Sequence, residues 1–101
     1  MLPNTFINLE ISSGTLRTED LVNAVGSYYT SFNKHLSKDE LAPIGALCLE
    51  FENTKDEEER SFIWEELFDI LNSIAPEGCI FGSHEGDGAA IGFWQHEEIE
   101  V

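Results

Sequence analysis

Cys79-Ile80-Phe81-Gly82-Ser83-His84-Glu85-Gly86-Asp87-Gly88-Ala89-Ala90-Ile91-Gly92-Phe93-Trp94 carries the clearest fold signal in the sequence. Two short apolar runs, Cys79 to Phe81 and Ala89 to Trp94, flank the glycine-rich Glu85-Gly86-Asp87-Gly88, and such a pair around a turn predicts a β-hairpin. Gly82 and Gly92, one in each strand, point to a bulge or to the close approach of another backbone. At the other end of the chain, Ile7, Leu9 and Ile11 alternate with Asn8 and Glu10 within Thr5 to Ile11, the period of a half-buried strand. Ser12-Ser13-Gly14 ends that strand.

Helical spacing fills the middle. Thr18 with Glu19 and Asp20 supplies an N-cap and two negative charges for the positive end of a helix expected to run to about Leu36. Leu21, Val22, Val25, Tyr28, Tyr29, Phe32 and Leu36 share one face of it. Ser37 and Glu40 fit a capping box, after which Ile44, Leu47, Cys48 and Phe51 form a stripe interrupted by a kink or restart at Pro43. Leu47, Leu49 and Phe51 also alternate as a strand would, and we read residues 38–53 as helix. Thr54 and Glu57 fit a second capping box for a helix ending near Ile74, with Asp56, Glu57, Glu58 and Glu59 crowding its first turn. Strand, helices and hairpin together predict one α+β domain spanning residues 1–101, with two or three helices packed on one face of a small, mainly antiparallel sheet.

Twenty acidic against five basic residues give a formal charge of -15, while 42% of the chain is hydrophobic, so it folds rather than stays disordered. A chain of this sign is repelled by nucleic acid and anionic lipid and is expected to seek basic protein surfaces. No run approaches the ~20 apolar residues of a membrane span. Cys48 and Cys79 read as small buried hydrophobes. A disulfide between them is open in principle, but with no basic, apolar leader at Met1 to Ile11 a reducing, cytoplasmic setting is expected.

On the wheel of the last helix, Ile63, Leu67, Ile70, Leu71 and Ile74 fall on one side, with Trp64 and Phe68 at its border. Glu58, Glu59, Glu65, Glu66 and Asp69 fall on the other, with Phe62 among them. An exposed aromatic ringed by charges has the composition of an interface hot spot, the carboxylates steering the encounter. The alternative is that the preceding segment or the hairpin covers Phe62. From Glu50 to Asp69 nine acids face only Lys55 and Arg60, so the helix can imitate spaced phosphates before a protein that grips DNA through Lys and Arg.

Other chemistries are weaker. His84, Glu85 and Asp87 flank the glycine-rich turn, with His96 able to approach, but their spacing matches neither a zinc motif nor an EF-hand. Gly86 and Gly88 lie between strands rather than before a helix, so no phosphate cradle is expected. No serine or cysteine has an identifiable base; pairing His35 with Cys48 has nothing behind it. We therefore expect no catalytic residue, no metal and no cofactor. A second function class uses His84, Glu85 and Asp87 in the 82–92 loop, with Arg17 beside it, to recognise a small molecule, acidity serving solubility alone. Gly92, Phe93 and Trp94 are expected to form an exposed edge strand that invites a second copy and a homodimer.

The segments Ser13-Gly14-Thr15-Leu16-Arg17-Thr18-Glu19-Asp20-Leu21 and Ala75 to Gly88, closing with Gly92-Phe93-Trp94, resemble signatures of small phage- and plasmid-borne proteins without an assigned activity. The resemblance implies a mobile-element setting, in which acidic inhibitors of restriction or CRISPR nucleases are common, and it supplies no catalytic residue. The expected function is thus an acidic interaction protein, a DNA-mimic-like inhibitor using Glu58, Glu59, Phe62, Glu65, Glu66 and Asp69 against a nucleic-acid-binding partner.

Overall fold

The computed structural model describes residues 2–84 and 86–95. Its elements are a 3-10 turn at Asn4–Phe6, strand β1 (Leu9–Ser12), helices α1 (Thr18–Ser27), α2 (Tyr29–Asn33), α3 (Lys38–Asn53) and α4 (Glu57–Ser73), and strands β2 (Cys79–His84) and β3 (Asp87–Gln95). The hairpin pairs Phe81 with Phe93 and Gly82 with Gly92, and β1 adds antiparallel to β3, so the sheet order is β1-β3-β2. The fold is α+β with a three-stranded antiparallel sheet.

The β3 strand is therefore central, which corrects the expectation of an exposed edge at Gly92, Phe93 and Trp94. Phe93 is fully buried and Trp94 half-buried. The glycines explain why β1 can seat there. A Cβ on Gly92 would run into the backbone of Leu9 and Glu10, opposite a register shift between Glu10 and Ser12, so both the close approach and the bulge read from the sequence occur at this strand pair.

The predicted strand at Thr5 to Ile11 starts late. Thr5 and Phe6 belong to the 3-10 turn, and Asn8 takes φ 60°, a left-handed conformation that asparagine tolerates better than most residues. From there Asn8 N–H donates to the Phe93 carbonyl (2.8 Å) and its Oδ1 accepts from Gln95 N–H (3.3 Å), so the kink aligns β1 on β3.

The single helix expected from Thr18 to Leu36 is two. It breaks at Tyr28, just after Gly26 and Ser27, both weak helix formers, and the Ser27 hydroxyl donates back to the Asn23 carbonyl at 3.1 Å. Thr18 is the first helical residue rather than the cap. Arg17 holds the cap position without a side-chain bond, while the Thr15 hydroxyl donates to Asp20 (2.8 Å). Residues 38–53 are helix, opened by the Ser37/Glu40 capping box. Pro43 sits inside it without ending it, because the carbonyl it leaves unbonded belongs to exposed Asp39. The helical period buries Leu47 and Phe51 and leaves Leu49 61% exposed, which a strand would not do. The cap of α4 is Asp56, whose carboxylate accepts from Glu58 N–H at 2.9 Å; Thr54 instead terminates α3, so the second predicted capping box does not form.

The core lies between the helices and one sheet face, where Ile11, Phe81, Ile91 and Phe93 meet Phe32, Ile44, Leu67 and Leu71. An aromatic chain ties the layers: Phe32 to Phe93 (6.3 Å between ring centres), Phe93 to Phe81 (5.2 Å) and Phe81 to Phe68 (5.2 Å). Each such pair contributes about 0.5–1.5 kcal/mol beyond area burial. Among the described residues no helix is long and apolar enough to cross a membrane.

Candidate protein-interaction surface

The α4 helix buries Ile63, Leu67 and Leu71, with Ile74 at its end, against α3 and β2; Ile70, Trp64 and Phe68 are half-buried. That fixes what faces outward. Glu58, Glu59, Glu65, Glu66 and Asp69 are all exposed, and Phe62 is 67% exposed, so neither the preceding segment nor the hairpin covers it. Helical geometry makes Phe62 the centre of the group: Glu58 and Glu59 stand four and three residues before it, Glu65 and Glu66 three and four after, the offsets that bring side chains together on a helix surface.

The two basic residues of the region do not offset this face. Arg60 falls on the inward stripe with Ile63 and Leu67, where its Nε donates to the Thr54 carbonyl (2.9 Å) and its guanidinium lies over the Phe51 ring (4.4 Å to the ring centre). It clasps the α3–α4 corner and takes its charge away from the outer carboxylates. Among the described residues, none of Glu58, Glu59, Glu65, Glu66 and Asp69 has an ion-pair partner; the pairs formed join Arg17 to Glu19 (3.4 Å) and Asp20 (3.8 Å). Like charges such as Glu65 and Asp69, four residues apart, cost an isolated helix about 0.2–0.5 kcal/mol. Arg60→Ala should lower unfolding free energy by about 1–2 kcal/mol, the sum of a buried-side hydrogen bond and a cation–π contact. An unchanged urea midpoint would show that the clasp is idle.

Arg60 was missed in the sequence, although one signal was there: a charged residue on an apolar stripe requires a partner inside. Arg17, expected beside the hairpin loop, instead lines a groove of about 300 Å³ with Thr18, Glu19, Phe51, Glu57, Arg60 and Ser61. Of the hairpin candidates, Glu85, the Asp87 side chain and His96 lie outside the described residues. His84 is exposed and employed locally: its Nδ1 accepts from Gly86 N–H (2.9 Å), and its ring meets Trp94 edge-on at 4.8 Å. No group of three or more potential metal ligands occurs among the described residues.

Cys48 and Cys79 are half-buried rather than buried, and both are free thiols. Burial raises the Cys48 thiol above its ordinary value, with the Glu52 carboxylate adding to the shift, and burial raises Cys79. Both directions disfavour the thiolate, the form a nucleophile needs. His35, exposed in the turn after α2, stacks edge-on against Phe6 at 5.5 Å.

No family model, curated protein or solved structure matches the chain.

Proposed function

We propose that the chain is an acidic interaction protein that occupies the basic nucleic-acid groove of a second protein and so inhibits it, with α4 standing in for a strand. The observation that carries the proposal is Phe62, exposed at the middle of a ring formed by Glu58, Glu59, Glu65 and Glu66. Charge spacing supports it. From Glu58 to Asp69 five carboxylates span eleven residue steps, about 16 Å of helix axis, so their four intervals average about 4 Å, the same order as the ~3.4 Å between charges along one strand of a DNA duplex. Grooves that hold single strands pair a basic track with aromatic platforms on which bases stack, and the Phe62 ring offers such a platform a flat apolar face. The mobile-element resemblance of the flanking segments points to defence nucleases as the class of target.

Salt separates this mode from a plainly hydrophobic contact. Partner affinity should fall steeply as salt rises and surface charges become screened beyond ~8 Å at physiological ionic strength. Replacing Glu58, Glu59, Glu65 and Glu66 by Gln should flatten that dependence. Affinity that is level across salt in the unaltered chain would overturn the proposal.

A further inference from the structure

The outer strands of a three-stranded sheet each present a free edge, and an edge of unpaired amides is a template for a second chain. In β2 the pairing of Ile80 with Trp94 and Gly82 with Gly92 alternates with that of Cys79, Phe81 and Ser83, so the last three turn their backbone groups outward. Two of those amides already have acceptors. Cys79 N–H donates to the Pro76 carbonyl at 2.9 Å, within the turn that enters the strand. Phe81 N–H donates to Oδ1 of Asn72 at 3.0 Å, a side chain reaching across from the last turn of α4. On the other edge, the Tyr28 hydroxyl donates to the Glu10 carbonyl at 3.4 Å.

We propose that Asn72 is an edge plug: its amide oxygen takes the position that a neighbouring strand's carbonyl would fill, and so keeps β2 from pairing with β2 of a second copy. Asparagine is a weak helix former and Asn72 is otherwise exposed, so neither helix propensity nor burial accounts for it there; the bond to Phe81 does. The edge needs such a device. Ile80 is 41% exposed on this strand, and no proline or charged residue interrupts Cys79 to Ser83, the usual means of blunting an edge. Pairing of one β2 with another, antiparallel about a two-fold axis, would satisfy the same residues on both copies. Net charge of -15 opposes that association at low salt and fades as a barrier at high salt, which leaves the plug as the element that acts under all conditions.

The test compares the unaltered chain, Asn72→Ala and Asn72→Asp by sedimentation velocity at high salt, with amide hydrogen exchange at Phe81 read in parallel. The unaltered chain and Asn72→Asp, which keeps an acceptor oxygen, should sediment as monomers with Phe81 protected. Asn72→Ala should form dimers with rising concentration, and at dilutions where it is monomeric its Phe81 amide should exchange at least tenfold faster. Asn72→Ala that stays monomeric at all concentrations, or keeps full Phe81 protection when dilute, would overturn the assignment. Loss of folding in Asn72→Ala alone would also count against it, because a plug at a solvent-facing edge is not required for the core.

Discussion

Gly92→Ala should strip β1 from the sheet and lower unfolding free energy by about 3 kcal/mol or more, at or beyond the upper end of the range for overpacking. The new Cβ would press on the Leu9 carbonyl oxygen while lying 2.9 Å from Glu10 Cα and 3.1 Å from the Leu9 carbonyl carbon. All are backbone atoms, so no side chain can swing aside, and relief requires β1 to leave β3. Gly82→Ala is the control. Its Cβ would lie 3.5 Å from the edge of the Phe68 ring, an ordinary contact, and the cost should stay within about 1 kcal/mol. Urea unfolding of the two variants decides the matter, and equal midpoints would mean that the Gly92 approach does not hold the sheet together.

Phe62→Ala should have the opposite profile. Because Phe62 is mostly exposed, truncation should change stability by no more than about 0.5 kcal/mol, whereas a buried phenylalanine such as Phe93 would cost about 3–5 kcal/mol. Affinity for the partner should fall by about 2 kcal/mol, roughly thirtyfold, the scale of an aromatic hot spot. Replacing Glu65 and Glu66 by Gln should separate the two properties: relief of their repulsion with Asp69 raises the melting temperature while binding weakens, whereas Glu58 and Glu59 stand in the first turn of α4, where the helix dipole favours their charge. A gain of stability with a loss of binding marks residues kept for a partner rather than for the fold. If instead Phe62→Ala melts early and the folded protein binds normally, the ring belongs to the fold and the anchor role is wrong.

Some local signals in the sequence match the structure, although the caps expected at Thr18 and Thr54 do not. The hairpin, the Ser37/Glu40 capping box and the outward acidic face of α4 depend on neighbours within a few residues, and each appears where the spacing put it. Strand order is another matter. The alternation in Ile7 to Ile11 and the apolar run to Trp94 fit an edge or a centre equally well, and only the glycine at 92 hinted that a backbone would arrive there. The break at Tyr28 was hidden because Leu21 to Leu36 keeps its apolar period straight across it; the evidence of weakness lay in Gly26 and Ser27. Thr54 lost the cap to Asp56 since both residues suit the position and three-residue spacing cannot choose between them. Asn72 and Arg60 were illegible as a plug and a clasp, because their partners, Phe81 and Phe51 with Thr54, are fixed only once helices and sheet have packed.

If α4 presents a strand-like row of charge around one aromatic ring, nucleic acid should compete with the chain for its partner. Displacement from an immobilised chain measures that competition. The unaltered chain and Phe62→Ala are immobilised, proteins from the cells that encode the chain are passed over both at low salt, and bound material is challenged with a single-stranded oligonucleotide and then with a duplex of equal charge. The expected result is a protein that the unaltered chain retains and Phe62→Ala does not, released by the single strand at lower concentration than by the duplex. Retention by both columns alike, with neither nucleic acid displacing anything, would contradict it.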